Sequence, residues 1–464
     1  MQSEKANPYT ARPLSRFSHD PHIRTLRFEL KLIDSSSIIP AVFSKSVDKG
    51  LGVYYQLVNN MSQGPFTFDQ LQEMARLGTF TTASLVWYPL QGKWQWVEAW
   101  QIIEFVELFR TIENEAIKAA KLDAREIRRE VAEGTRPPTT VIAVGGGKGG
   151  IGKTSLTVGL GLCLAAMEQS VILADCDLGG ANMRTALGLP EPQLTSIDFF
   201  IRNKTAVEQL LTPTGVDSLQ FISGQGGVLG LANLKYSQKL KFINQLKKLE
   251  ADFVLLDLGS GTSYDVLDFF LSSDRGVLIT CPDPFSLESA FGFLKSAMYR
   301  GIARSFSSDE IIYRHIKKQM ERAFRLTMFQ FLTELRAESP ESADIVWKYL
   351  AAYPKGLILN MVRHRGEIKE VIDLIAHTSR QLSVTVELLG QVSYDAIVRK
   401  STLNKSPFVL TRPTSKASRD LLKIASEKLL PRRHVEGPAL QRWAIRRMKQ
   451  VGYQRQLSFS SNEY

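Results

Sequence analysis

One eight-residue run constrains the fold of this chain more than anything else in it. Gly147-Lys148-Gly149-Gly150-Ile151-Gly152-Lys153-Thr154 fits the pattern GxxxxGK[ST]. It stands between a short apolar run, Val141-Ile142-Ala143-Val144, and a helical pattern from Leu156 to Ala166. Strand, glycine loop and helix in that order form the setting in which such a loop binds phosphate. Glycines let successive backbone N–H groups curl around an anion, and the N-terminus of the next helix adds positive partial charge. Lys153 is placed to reach the β- and γ-phosphates of a nucleotide. The Thr154 hydroxyl is placed to bind Mg²⁺, and Ser155 to lie near the α-phosphate. Gly147, Gly149, Gly150, Ile151 and Gly152 supply the backbone cradle.

The rest of the central region agrees. Val171–Ala174, Phe253–Leu256, Val277–Thr280 and Leu357–Asn360 are short apolar runs separated by helical patterns. That alternation predicts an α/β fold, a doubly wound and mostly parallel sheet covered on both faces. Two of these runs end in carboxylates: Asp175-Cys176-Asp177 after one, Asp257-Leu258-Gly259-Ser260-Gly261 after another. Carboxylates at that edge of a parallel sheet can organise Mg²⁺ and orient a water. Asp257 reads as the group that holds Mg²⁺ through water. The three cysteines, Cys163, Cys176 and Cys281, form no CxxC pair. This argues against a metal-cluster carrier and a disulfide framework, and for a reducing, cytoplasmic compartment. No run of 18 or more apolar residues predicts a membrane span, and the first 30 residues lack a leader-like apolar core.

An ordinary phosphate loop does not require a lysine at position 148. The form KGGxGK[ST] resembles the deviant Walker A signature of the MinD/ParA family. The resemblance implies that Lys148 crosses a dimer interface to the nucleotide of the other subunit. ATP would then drive homodimerisation, with Asp177 positioning or activating the attacking water. Lys148, Lys153 and Asp177 form the expected catalytic set; Thr154, Asp175 and Asp257 the expected Mg²⁺ set. The stretch from Asp257 through Ser263 and Phe269-Phe270 to Pro282-Asp283-Pro284 resembles the FlhG/FleN branch, although Asp283 stands where that branch has glutamate. By the same resemblance Pro282, Asp283 and Asn360 lie near adenine. The match covers roughly residues 139–298 and 355–430. It implies an ATP hydrolase that positions flagella, a pole or a division site. A DNA-partitioning ATPase of the ParA type is the alternative.

The flanks read differently. Residues 1–50 predict a weakly ordered extension. Residues 51–100 concentrate aromatics, as a small domain needs for its core. Tyr54-Tyr55, Gly64-Pro65-Phe66, Leu85-Val86-Trp87 and Trp94-Gln95-Trp96 resemble a GYF-type domain. That resemblance implies recognition of a proline-rich partner, with Tyr54, Tyr55, Phe66, Trp87 and Trp94 as candidate contacts. Residues 101–138 predict a helical linker ending at Pro137-Pro138.

Within the 139–430 domain, residues 301–354 predict a helical insertion. Ser307 and Glu310 fit a capping box, and Ile312, Ile316, Met320, Phe324 and Met328 suggest one apolar stripe. The 431–464 tail carries seven basic residues against one acidic residue over 431–455, which is +6 of the chain's +11. Its Leu440, Trp443, Ala444, Met448 and Val451 draw an apolar face, with Arg442, Arg446, Arg447 and Lys449 elsewhere. An amphipathic helix over 438–453 would suit an anionic membrane, making the protein peripheral on the inner face of the cell membrane. Docking on its own domain and contact with protein or nucleic acid are the other readings.

Overall fold

The structure is a computed structural model. It describes residues 53–451 apart from 59–60, 77–78, 91–92, 136–138, 203–204, 225–233, 323–325, 354, 383, 431–440 and 443. The expected extension over 1–50 and the chain after 451 lie outside the described residues. The chain divides into two compact units, Met1–Asn114 and Glu115–Tyr464.

The first unit is built on four antiparallel strands, β1 (Val53–Val58), β2 (Met61–Thr67), β3 (Leu85–Leu90) and β4 (Lys93–Glu98), in the order β2-β1-β3-β4. Between β2 and β3 the helix Phe68–Arg76 starts on a capping box. Thr67 Oγ1 accepts from Gln70 N, and the Gln70 side chain accepts from Thr67 N. Leu71, Phe80, Val86, Val97, Phe105 and Leu108 form the core. Phe105 and Leu108 come from the long helix Ile103–Ala132, so the small core takes its last members from the segment expected to be linker.

The second unit carries an eight-stranded sheet. Its strands are β5 (Thr140–Gly145), β6 (Val171–Cys176), β7 (Thr212–Pro213), β8 (Leu219–Ile222), β9 (Phe253–Leu258), β10 (Arg275–Thr280), β11 (Lys355–Val362) and β12 (Glu387–Ser393). The order is β12-β11-β10-β5-β9-β6-β8-β7, and every pairing except β7 with β8 is parallel. This is the doubly wound parallel sheet expected. Its central strands are apolar throughout because both faces are covered. Val141 and Ala143 enter one core, Ile142 and Val144 the other. The helix Lys153–Ala166 is buried on all sides from Leu156 to Ala166, lying between the sheet and the helix Lys416–Ile424.

One expectation is corrected, and the tail takes one of its stated readings. Over 301–354 the chain makes separate helices, Glu310–Glu321, Met328–Glu338 and Pro340–Ala352, not one continuous stripe. The first is capped by Asp309, which accepts from Ile312 N at 2.9 Å, and not by Ser307. Thr327 and Gln330 then form a fresh capping box for the second. In the tail, residues 441–442 and 444–451 are helical. Of its apolar face, Ala444 and Met448 are buried in the core that holds the Lys153–Ala166 helix, and Val451 packs against it. Arg447 pairs with Glu168 at 3.2 Å, and Gln441 donates to Ser426 Oγ. Three of the five residues offered to lipid in the membrane reading therefore pack against protein, as the docking reading expects. Arg442, Arg446 and Lys449 remain exposed. Leu440 and Trp443 lie outside the described residues. Among the described residues no helix is long and apolar enough to cross a membrane.

Candidate nucleotide site

The site lies at the carboxyl edge of the sheet, where β5, β6 and β9 run side by side. The loop after β5 turns directly into the helix Lys153–Ala166, with Gly152 as N-cap at φ +85°, a conformation that disfavours any side chain. Gly147 is required for a different reason. A Cβ there would stand 2.0 Å from the Ser289 carbonyl oxygen, so the loop packs on the helix Pro284–Ser305.

Lys153 is buried, and its Nζ donates to the Lys148 carbonyl at 3.1 Å, inside its own loop. Burial lowers its pKa, opposed by the charges of Asp257 and Asp177. Lys148 is exposed. Gly149 and Gly150 are also exposed, whereas Ile151 is buried. Thr154 and Ser155 open the helix, half-buried.

Asp175 and Asp257 sit opposite each other on the neighbouring strands β6 and β9, both 1% exposed. Burial pushes Asp257 up to about 7, with Asp175 adding to the shift and Thr154, Thr157 and Lys153 opposing it. Thr157 Oγ1 donates to Asp257 Oδ1 at 3.2 Å. Burial likewise pushes Asp175 up to about 6, against hydrogen bonds from Met183 N and Asp177 N. Two buried carboxylates beside a threonine hydroxyl and a lysine form a hard, oxygen-rich set short of positive charge. That chemistry fits Mg²⁺ shared with phosphate. Among the described residues no cluster of three His, Cys, Asp or Glu could hold a metal without such help.

Asp177 stands in the loop after β6. Its Oδ1 accepts from Gly179 N and Gly180 N at 3.2 and 3.0 Å. Gly259, in the loop after β9, lies so close that a Cβ there would be 2.9 Å from Asp177 Oδ1. The fold thus gathers Lys153, Thr154, Asp175, Asp177 and Asp257 at one edge.

The expected adenine contacts have other partners. Asn360 is buried, and its Nδ2 donates to the Ile151 carbonyl at 2.8 Å, bracing the phosphate loop from β11. Asp283 caps the helix Pro284–Ser305, accepting from Ser286 N at 3.0 Å, with Pro282 just before it. Burial alone would raise its pKa, but the Ser286 hydrogen bonds and the Lys148 charge hold it below the usual carboxylate range. Sequence reading missed Thr157 and Ser289. Thr157 could have been found: it lies one helical turn beyond Lys153, on the same face. Ser289 carries no sequence signal, since only the fold brings its carbonyl to Gly147.

The profile described as the CobQ/CobB/MinD/ParA nucleotide binding domain matches residues 142–409. The chain belongs to this family. A second profile, GYF domain 2, matches residues 54–105. Among relatives of this MinD/ParA-family chain, the antiactivator FleN of Pseudomonas aeruginosa is 26% identical over 287 residues, which is 61% of this chain and 84% of FleN. The flagellum site-determining protein YlxH of Helicobacter pylori is 26% identical over 34% of this chain and 53% of its own length. The chain thus matches about half of YlxH. Among solved structures, the septum site-determining protein MinD complexed with Mg-ADP from Pyrococcus horikoshii OT3 is 21% identical. It covers 63% of this chain and 97% of its own, with a TM-score of 0.45.

In the GYF unit, strand pairing separates the five candidate contacts. Tyr54 and Phe66 pack toward the helix-covered core. Tyr55, Trp87 and Trp94 point to the opposite face of the sheet, since successive side chains alternate. There Trp87 meets Trp96 edge-on at 5.3 Å, and Trp94 is 47% exposed.

Proposed function

We propose that this chain is an ATP hydrolase that works as a dimerisation switch in site determination, the process for which its flagellar and septal relatives are named. The observation that carries the reading is the separation of the two loop lysines. Lys153 is buried within its own phosphate loop, and Lys148 is exposed at its rim. A lysine that serves its own nucleotide has no need of a second one outside the cradle. One that serves the nucleotide of a second copy must stand where Lys148 stands.

In this reading Lys153 leaves the Lys148 carbonyl for the β- and γ-phosphates. Thr154, Asp175 and Asp257 would hold Mg²⁺, which offsets phosphate charge when bound. Asp177 holds the attacking water in line with the γ-phosphate, its carboxylate fixed by Gly179 N and Gly180 N. Water adds to the γ-phosphorus and the bond to ADP breaks, giving ADP and phosphate. Lys148 stabilises the charge developing on the nucleotide of the second copy. Only ATP presents a γ-phosphate to both chains, and that differential contact shifts the monomer–dimer equilibrium.

The outer aromatic face of the GYF unit is the surface proposed for a proline-rich partner, and Tyr54 and Phe66 serve the core behind it. Arg442, Arg446 and Lys449 can meet an anionic membrane with the helix in place, whereas insertion of Ala444 and Met448 into lipid requires the helix to leave its seat on the domain. The test of the reading is phosphate release against protein concentration, for the parent and Lys148→Ala. A dimer-dependent hydrolase gains specific activity as concentration rises, and Lys148→Ala loses that gain. Specific activity independent of concentration in the parent would reject the switch.

A further inference from the structure

Phe285 is 73% exposed, although it is a large aromatic held in ordered structure at the nucleotide edge. It is the second residue of the helix Pro284–Ser305, fixed by Pro284 before it and by the Asp283 cap. Its carbonyl accepts from Ser289 Oγ at 2.8 Å, and the Ser289 carbonyl is the atom against which Gly147 of the phosphate loop packs. Phe285 therefore stands one helical turn beyond the contact that ties this helix to the loop. Exposing such a ring in water is unfavourable, and interface energies concentrate in rigidly held aromatics. The surroundings suit a copy of the same surface. Lys148 and Asp283 interact across this rim. Lys148 is the residue that the dimerisation reading sends across to a second copy, so Phe285 stands beside a contact that only a second copy makes.

We propose that Phe285 is the apolar anchor of the ATP-dependent dimer, seated in the partner chain beside the Lys148–Asp283 rim. This rests on the dimerisation reading above and adds what that reading lacks, a desolvated contact that holds the two copies while the nucleotide contacts select ATP over ADP. The link through Ser289 to Gly147 lets an ordered phosphate loop fix where the ring points.

The test is sedimentation velocity of the full chain with a non-hydrolysable ATP analogue and with ADP, for the parent, Phe285→Ser and Phe329→Ser. Affinity of each monomer for a fluorescent ATP analogue and for fluorescent ADP is measured alongside. Phe329 is 61% exposed on the helical insertion and serves as the comparison. The expected result is a dimer constant weakened at least about tenfold in Phe285→Ser. Monomer nucleotide affinity should be unchanged, and Phe329→Ser should dimerise like the parent. A parent that stays monomeric with the ATP analogue rejects the dimerisation reading itself. A dimerising parent matched by Phe285→Ser overturns this inference alone and leaves Phe285 to a different protein partner. Equal loss of ATP and ADP affinity in the Phe285→Ser monomer also overturns it, because the ring would then be stacking on its own adenine. Equal weakening of the dimer by Phe329→Ser would overturn it as well, since the effect would not belong to the nucleotide edge.

Discussion

The nucleotide edge and the helical segment over 301–354 obey the same chemistry but differ in how their positions are fixed. At the edge, each position answers to a local demand. Gly147 has a carbonyl where a Cβ would be, and Lys153 must be buried beside two carboxylates. In the helical segment local demand is confined to the caps at Asp309 and Thr327, and between them only periodicity speaks. Ile312, Ile316, Met320, Phe324 and Met328 recur every four residues, but a helix turns in 3.6, so each step rotates by about 40° around the axis. After two steps the stripe has left the buried face. Ile312 and Ile316 are at 0% and 2% exposure, and Met320 is at 53%. The chain stops the helix at Glu321 and restarts one at Met328, where Met328 is buried again.

The edge should yield the largest effect. Asp177→Asn removes the charge proposed to orient the water, and phosphate release should fall by roughly 10²–10⁴-fold. ATP affinity, measured with a fluorescent analogue, should stay within a few-fold of the parent. Comparable hydrolysis by the variant would place the chemistry elsewhere.

In the helical segment the contrast is one of stability. Phe331→Ala empties a site at 0% exposure, packed edge-on to Tyr299, and should cost about 3–5 kcal/mol in chemical denaturation. Met320→Ala should cost under about 0.5 kcal/mol. A large cost at Met320 would restore the single-helix reading.

A smaller effect concerns Lys355, at the start of β11 below that segment. Its Nζ donates to the carbonyls of Leu350 and Tyr353, and burial pulls its pKa from 10.5 down to about 8. Between those values the unfolded chain holds the proton that the folded chain has lost, so stability rises with pH. The stability of the parent minus that of Lys355→Met should therefore climb from pH 8 to pH 10 and be flat below pH 7. A flat difference throughout would show that the ammonium is solvated.

The smallest effect belongs to the GYF unit. Trp94→Ala should weaken binding of a proline-rich peptide by about fivefold, with the melting point unchanged. Tyr54→Ala should lower the melting point instead, because Tyr54 packs edge-on to Phe105 at 5.1 Å. The reverse pattern would put the peptide on the other face.

The parallel sheet and the gathering of Lys153, Thr154, Asp175, Asp177 and Asp257 were legible because a phosphate loop and strand-end carboxylates are local patterns with one structural meaning. Asn360 was expected near adenine, and its contact with the phosphate loop was not legible. Its amide meets Ile151, 209 residues away in sequence, and only the sheet order brings β11 near enough. The tail was legible as an amphipathic helix, but not in what covers it. An apolar face suits lipid and protein equally, and here Ala444 and Met448 meet protein. The aromatics of the GYF unit were grouped by residue type, whereas strand alternation divides them between two faces.

The central claim, that Lys148 serves the nucleotide of a second copy, is tested most directly by mixing two inactive chains. Lys148→Ala and Asp177→Asn are each assayed alone and then together in equal amounts. In a mixed dimer the site on the Lys148→Ala chain keeps its own Asp177 and receives Lys148 from its partner. At a protein concentration where both variants are fully dimeric, mixing should restore about a quarter of the parent rate, since half the dimers are mixed and each holds one intact site. Phosphate release that stays at the level of the separate variants would contradict it, because Lys148 would then act on its own nucleotide.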